Sequence, residues 1–302
     1  MHLVIAFAAP LSDPGRAVLK GLQLPGLRAL LAGRQPQLED GEALDEWSLS
    51  PPHERALARA HGWPLDDGSL PVAAGQACAD GLPATTGAWA LLTPSHWHLG
   101  TEQLSLADPA TLGLTDDESR SLAEAVGPLF TSEGFTFHAP GASRWYLSHP
   151  SLATLPTASI DRVIGRNVDR WLPGGPQARL LRRLQNEVQM MLHTHPVNAG
   201  RESRGLLPVN SVWISGTGAA QPAAAGVRLE TSLRGPALAE DWAAWAQAWI
   251  RLDADLAAHP PATLTLCGER RAARLDLAPQ GALARWLGRW SAPAPHTLLE
   301  RL

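Results

Sequence analysis

The stretch from Gln185 to Gly218, QNEVQMMLHTHPVNAGRESRGLLPVNSVWISGTG, decides how the chain reads. At its start Leu180, Leu181, Leu184, Val188, Met191 and Leu192 fall within one arc of about 120° on a helix. Arg182, Asn186, Gln189 and His193 fall on the opposite face. Pro196 disfavours helix at His195, so this helix should end near His193. Asn210 to Ser215 (NSVWIS) reads as a strand, and Gly216-Thr217-Gly218 as a turn after it. A helix, a polar connection and a strand in that order indicate an α/β arrangement.

Working outward, the same periods recur. Residues 3–9 (LVIAFAA) read as a buried strand closed by Pro10 and an Asp13-Pro14-Gly15 turn. Short helices are expected over Leu24 to Leu31 and Ser50 to His61, with an acidic loop Glu39-Asp40-Gly41-Glu42 between them. Residues 63–84 are rich in Pro, Gly, Ala and Asp and read as irregular. Gly87 to Leu92 is a strand that delivers Thr93-Pro94-Ser95-His96-Trp97-His98 at its C-terminal end. Thr115 and Glu118 form a capping box for a helix burying Leu122, Val126, Leu129 and Phe130. Phe135 to His138 and Arg144 to Leu147 pair as a hairpin around Pro140-Gly141. A helix is expected over Ile160 to Trp171, and a short strand over Val227 to Leu229. In the helix Leu238 to Leu256, Trp242, Trp245 and Trp249 form a stripe that reads as core. Thr263 to Cys267 and Ala272 to Leu277 are partner strands, and Ala282 to Trp290 is a last helix. The expected architecture is a mixed sheet with flanking helices in a single α/β domain over 1–302, loosely divisible near 150–175.

Composition narrows the function classes. The 302 residues are 45% hydrophobic and 18% charged, a globular balance. A net charge of −4 argues against a general nucleic-acid-binding surface. Cys78 and Cys267 are the only cysteines, which fits a reduced, cytoplasmic setting and neither a disulfide framework nor a cysteine-rich metal site. No basic region precedes the first apolar run, so that run reads as a strand and not as a signal peptide. No apolar run approaches the roughly 20 residues that span a bilayer. Twelve tryptophans stand against one tyrosine, and most should be core pins.

Three constellations could carry chemistry. Asn198, Arg201, Arg204 and Asn210, with the backbone of Gly216, Thr217 and Gly218, could enclose a phosphate or carboxylate, because arginine clamps oxyanions bidentately and backbone N–H groups at glycine converge on anions. The bland alternative is that the asparagines hold turns and the arginines pair with Glu187 or Glu202. His96 with His98, and His193 with His195, are His-x-His elements that could chelate a metal, with Glu102 or Glu187 near in sequence. Ser95-His96 and Ser215 suggest a nucleophile, although no G-x-S-x-G elbow is present.

The pattern His195-Pro-Val-Asn198-x-x-Arg201-x-x-x-Gly205-x-x-Pro208-x-Asn210, with its glycine-rich sequel, resembles a segment of the archaeal-type, cofactor-independent phosphoglycerate mutases. Together with Thr93-Pro94-Ser95-His96-Trp97, Trp145-Tyr146-Leu147 and the Leu184 to Met191 helix, it resembles more fully a bacterial family of phosphoglycerate-mutase-like, RpfE-type regulatory proteins. The resemblance spans roughly residues 90–220. It implies a fold related to alkaline phosphatase, reduced in its core, and in the mutases a two-metal centre. That centre uses an Asp soon after the first strand, a nucleophilic Ser, and a late Asp/His cluster with a Gly-His pair. Here the first strand leads to Ala8, Ala9 and Pro10, Asp13 is the nearest acid, and the histidines after residue 220 are His259 and His296.

The leading expectation is therefore a catalytically degenerate relative in a regulatory role, with no cofactor, binding a small anionic metabolite or a protein partner. His195, Asn198, Arg201, Arg204, Asn210, Gly216, Thr217 and Gly218 would line the site, with His96 and Trp97 as the opposite wall. One alternative is an active phosphomutase or phosphatase using Mn or Zn on His96, His98, His193 and His195. Another is a ligand-free protein-interaction module.

Overall fold

The structure, a computed structural model, describes residues 1–39, 46–100, 103–277 and 294–302. The acidic run at 40–42, Glu102 and the helix expected over Ala282 to Trp290 lie outside the described residues. In chain order the strands are β1 (His2–Ile5), β2 (Gln37–Glu39), β3 (Ala88–Ser95), β4 (Trp97–Leu99), β5 (Leu104–Leu106), β6 (Thr136–Gly141), β7 (Arg144–Ser148), β8 (Ser211–Ala219), β9 (Val227–Glu230), β10 (Thr263–Cys267) and β11 (Ala272–Asp276). The chain is a mixed α/β protein with a mixed sheet and flanking helices.

It divides into two compact units. One comprises Met1–Trp47, Pro51–Gly62 and Ala224–Leu302, the other Ser48–Ser50 and Trp63–Ala223. This partition differs from a single domain loosely divided near 150–175. The physical reason is that β1 pairs in parallel with both β9 and β10, so the N-terminal strand belongs with the C-terminal third.

In the first unit the sheet order is β2-β11-β10-β1-β9. β10, β11 and β2 are joined antiparallel. On one face Leu3, Ile5, Leu264 and Leu266 meet Leu27 and Leu31 of the helix Pro25–Leu31 and Trp245, Trp249 and Leu256 of the helix Trp242–Ala258. The tryptophan stripe is core, as its period requires, and the indole N–H groups of its two fully buried members are satisfied. Trp245 donates to the Phe7 carbonyl at 3.0 Å and Trp249 to the Ala8 carbonyl at 3.2 Å. Buried Asp253 accepts from the N–H groups of Gly26 and Leu27 at 2.9 and 2.7 Å, capping the helix Pro25–Leu31 from a distant segment. The Asp13-Pro14-Gly15 turn is instead the start of a helix, Asp13–Gly21, whose N-cap is Ser12 and whose Pro14 lies in the first turn.

In the second unit the order is β6-β7-β3-β8, all antiparallel, beside a two-stranded β4-β5 sheet. The helices Asp116–Thr131 and Arg179–His193 bury Leu122, Val126, Leu184 and Val188 against Leu92, Val212 and Ile214. On the other face a helix at Val72–Ala79 covers Trp89 and Tyr146. That helix falls in a segment read as irregular. VAAGQACA is apolar but for Gln76 and has no period to show.

Three further boundaries are corrected. The Ile160 to Trp171 helix is one turn, Ile160–Val163, followed by Gly165 at positive φ and a short 3-10 turn capped by Asn167. Pro196–Ser203 is a helix and not a loop. Gly216-Thr217-Gly218 is not a turn but the continuation of β8.

Candidate functional site

The motif from His195 to Gly218 is built around a helix, a buried return and an edge strand. His195 lies in extended backbone and is the N-cap of Pro196–Ser203, its Nδ1 accepting from the Val197 N–H at 3.3 Å. One face of that short helix turns Asn198 and Arg201 inward.

Asn198 is buried. Its Nδ2 donates to the carbonyls of Leu192 and Val209 at 2.8 Å each, and its Oδ1 accepts from the Val209 N–H at 2.8 Å. One amide thus ties the end of the long helix to the strand approach and satisfies three buried backbone groups. Asn210 does the same for Trp97. Its Oδ1 accepts from the Trp97 N–H at 2.7 Å and its Nδ2 donates to the Trp97 carbonyl at 2.9 Å, so the side chain imitates one rung of a sheet.

The Arg201 side chain has 0% exposure. Its Nε donates to the Leu207 carbonyl at 2.8 Å, Nη1 to Glu118 Oε2 at 2.6 Å, and Nη2 to the Leu112 carbonyl at 2.5 Å. Arg204, 54% exposed, donates from Nη2 to Glu118 Oε1 and from Nε to the Gly200 carbonyl at 3.0 Å. Glu118 also completes the capping box by accepting from the Thr115 N–H at 3.2 Å. Burial alone would raise the pKa of Glu118. The hydrogen bonds from Arg204 and the Thr115 N–H, and the Arg201 charge, outweigh it and hold the carboxyl below its usual range.

Gly216 and Gly218 let β8 pass close to the helix Val72–Ala79. Gly216 has φ +64°, and a Cβ there would lie 3.0 Å from the Ala73 nitrogen. A Cβ at Gly218 would lie 3.0 Å from the Ser69 carbonyl. Here β3 and β8 shift register between Trp89 and Leu91, as at a bulge. Thr217, buried between the two glycines, donates to the Leu155 carbonyl at 2.6 Å and contacts Thr157 Oγ1 at 2.9 Å.

His96 and Trp97 are bonded to this segment, at Pro208 and Asn210. β3 runs on through Thr93-Pro94-Ser95, and β7 pairs with it only from Trp89 to Leu92, so Pro94 lies beyond that ladder. His96 follows, its Nδ1 2.8 Å from the Pro208 carbonyl. Ser95 Oγ is buried and hydrogen-bonds to no described residue, so Ser95 and His96 form no nucleophile–base pair. The His96 and His98 rings lie 6.3 Å apart, centre to centre. His193 is exposed at the end of its helix, and Glu187 pairs with Arg183. Among the described residues no group of three or more His, Cys, Asp or Glu is placed to hold one metal ion, so His96, His98, His193 and His195 do not gather as one set. A two-metal centre does not fit the described donors. Sequence reading missed that Glu118 is the hub. Its capping role is local, but Arg201 and Arg204 reach it across more than eighty positions.

Fold and motif together define a mixed α/β protein whose signature segment is bonded to its own backbone. No family model matches the chain. Over 111 residues it is 30% identical to the 2,3-bisphosphoglycerate-independent phosphoglycerate mutase of Methanosarcina barkeri, covering 35% of this chain and 27% of that protein. Over 133 residues it is 28% identical to the Methanosarcina mazei mutase, covering 43% and 33%. Over 108 residues it is 31% identical to a probable mutase of Geobacter sulfurreducens, covering 34% and 26%. The chain thus spans about a quarter to a third of the length of the curated relatives it matches. Among solved structures, the cofactor-independent phosphoglycerate mutase of Thermoplasma acidophilum aligns over 99% of this chain and 98% of its own at 14% identity and TM-score 0.39. A protein of Pyrococcus horikoshii aligns over 100% and 97% at 13% identity and TM-score 0.45. The chain is a distant homologue of the cofactor-independent phosphoglycerate mutases over part of its length.

Proposed function

We propose that this chain is a phosphoglycerate-mutase-like protein of the RpfE-type regulatory kind that carries out no phosphotransfer of its own and acts by binding a small phosphorylated or carboxylated ligand or a protein partner. The observation that carries the reading is the fate of Arg201. A guanidinium that clamps a phosphate must present two free donors. Three of the five N–H groups of Arg201 meet protein acceptors, and its side chain is closed to solvent, so no ligand oxygen can reach the rest. The residue that would hold the substrate instead holds the motif.

Arg204 is the guanidinium of the motif that stays half in solvent, and among the described residues its Nη1 makes no hydrogen bond. Two guanidiniums against the one carboxylate of Glu118 leave this trio with a net charge of +1 (2 − 1). An anion would be received here, at Arg204, and not in the interior.

Calorimetric titration of the full chain with 3-phosphoglycerate tests the reading, since the relatives' names make it the first ligand to try. Saturable binding, weakened at least about fivefold by Arg204→Ala, is expected. Equal affinity in wild type and Arg204→Ala overturns the anion assignment and leaves the protein partner.

A further inference from the structure

We propose that His96 and His98 form a two-imidazole site for a borderline divalent transition cation such as Ni²⁺, Cu²⁺ or Zn²⁺. The site is independent of the mutase relationship and of the anion at Arg204.

The first argument is distance. A cation held about 2.0–2.1 Å from an imidazole nitrogen sits about 3.2 Å from the ring centre, so two rings sharing one ion stand at most about 6.4 Å apart, with the nitrogens opposite, and about 5.2 Å apart at a tetrahedral ion, a difference of about 1 Å that a turn of the exposed His98 closes. The His96 and His98 centres are 6.3 Å apart, with their planes inclined by 41°. Spacing two along an extended chain puts both side chains on one side of the backbone. β4, which contains His98, begins at Trp97 directly after His96.

The second argument is the tautomer. His96 Nδ1 lies 2.8 Å from the Pro208 carbonyl, which can only accept. Nδ1 therefore carries the hydrogen, and in the neutral ring the Nε2 lone pair is presented for coordination. A backbone carbonyl bonded to the far nitrogen is a usual partner of a metal-binding histidine. Burial keeps this ring in place.

The third argument is the contrast between the two rings. His98 is exposed and among the described residues makes no hydrogen bond, so it can rotate onto an ion at little cost. One fixed and one adjustable imidazole, opposite the short partner strand β5, leave the remaining positions to water or an outside donor. Imidazole nitrogen selects the later divalent transition metals over Mg²⁺ or Ca²⁺.

The test is calorimetric titration of the tag-free full chain with NiCl₂ alone, with His98→Ala, His98→Gln and His193→Ala alongside. One Ni²⁺ per chain is expected, with affinity lowered at least about tenfold in both His98 variants and unchanged in His193→Ala. The ring signals of His96 and His98 should broaden before those of the other histidines as paramagnetic Ni²⁺ is added. Equal binding by wild type and both His98 variants, or no saturable binding, overturns the proposal. So does broadening of a histidine other than these two before either of them.

Discussion

Arg201 donates to Glu118 from a position with no solvent exposure, while the same carboxylate accepts the N-cap N–H of its own helix. A local capping device and a long-range ion pair thus share one side chain. Glu118 takes three N–H donors, and Arg201 brings the Leu207 and Leu112 carbonyls to the same point. The helix Asp116–Thr131 and the helix Pro196–Ser203 are pinned together there.

Removing Arg201 should therefore be a stability event. Arg201→Ala breaks a buried pair and strands two carbonyls, and a cost of about 3–5 kcal/mol is expected. Arg204→Ala, at a half-exposed partner of the same carboxylate, should cost no more than about 1 kcal/mol. Urea denaturation of both variants measures the contrast. Equal costs would show that the interior geometry is not what Arg201 maintains.

Asn198→Ala leaves the Val209 N–H and C=O and the Leu192 C=O without their side-chain partner. Each orphaned buried group costs about 1–3 kcal/mol, so the loss should be several times larger than for Asn186→Ala on the exposed face of the long helix. Thermal melts of the two variants decide this. Hydrogen exchange at Val209 should also rise sharply in Asn198→Ala alone.

Gly216→Ala meets both a positive φ and the Ala73 nitrogen at 3.0 Å. The backbone strain alone is about 1–3 kcal/mol, and the bulge in β8 should shift. Gly174→Ala, where a Cβ meets nothing within 4 Å, is the matched control and should be close to neutral. A destabilised Gly174→Ala with an unaffected Gly216→Ala would contradict the close approach of β8 to the helix Val72–Ala79.

Glu118 also sets a pH dependence. Its folded pKa lies below the unfolded value, near 4.5, so its contribution is fully present above the unfolded pKa. That contribution is lost as pH falls through the folded one. The melting-temperature gap between wild type and Glu118→Gln should be constant from neutral pH down to about 5 and close progressively below it. A gap that widens on acidification would reverse the sign assigned here.

Much of this frame was legible in the sequence, and particular residues show why the rest was not. Leu184, Val188 and Leu192 repeat at helical spacing, and Trp245, Trp249 and Leu256 do likewise, so both helices and their buried faces could be read directly. The capping box at Thr115 and Glu118 was visible because it is local. The helix Val72–Ala79 has no polar face, so no period marks it. Pro14 and Pro196 read as breakers where each opens a helix, because position relative to the cap decides which role proline plays. Asn198, Arg201 and Asn210 were singled out by type and spacing, and the structure gives each a set of internal partners. Sequence alone could not say whether their donors face a ligand or the chain's own carbonyls, since Leu112 and Glu118 lie more than eighty positions from Arg201.

The central claim, that the chain keeps a mutase-like segment without mutase chemistry, is tested most directly by following 3-phosphoglycerate with the purified full chain in the presence of Mn²⁺ or Zn²⁺ by phosphorus NMR. The account predicts that no 2-phosphoglycerate and no free phosphate accumulate above the protein-free control. Metal-dependent formation of either product at a rate proportional to protein concentration would contradict it.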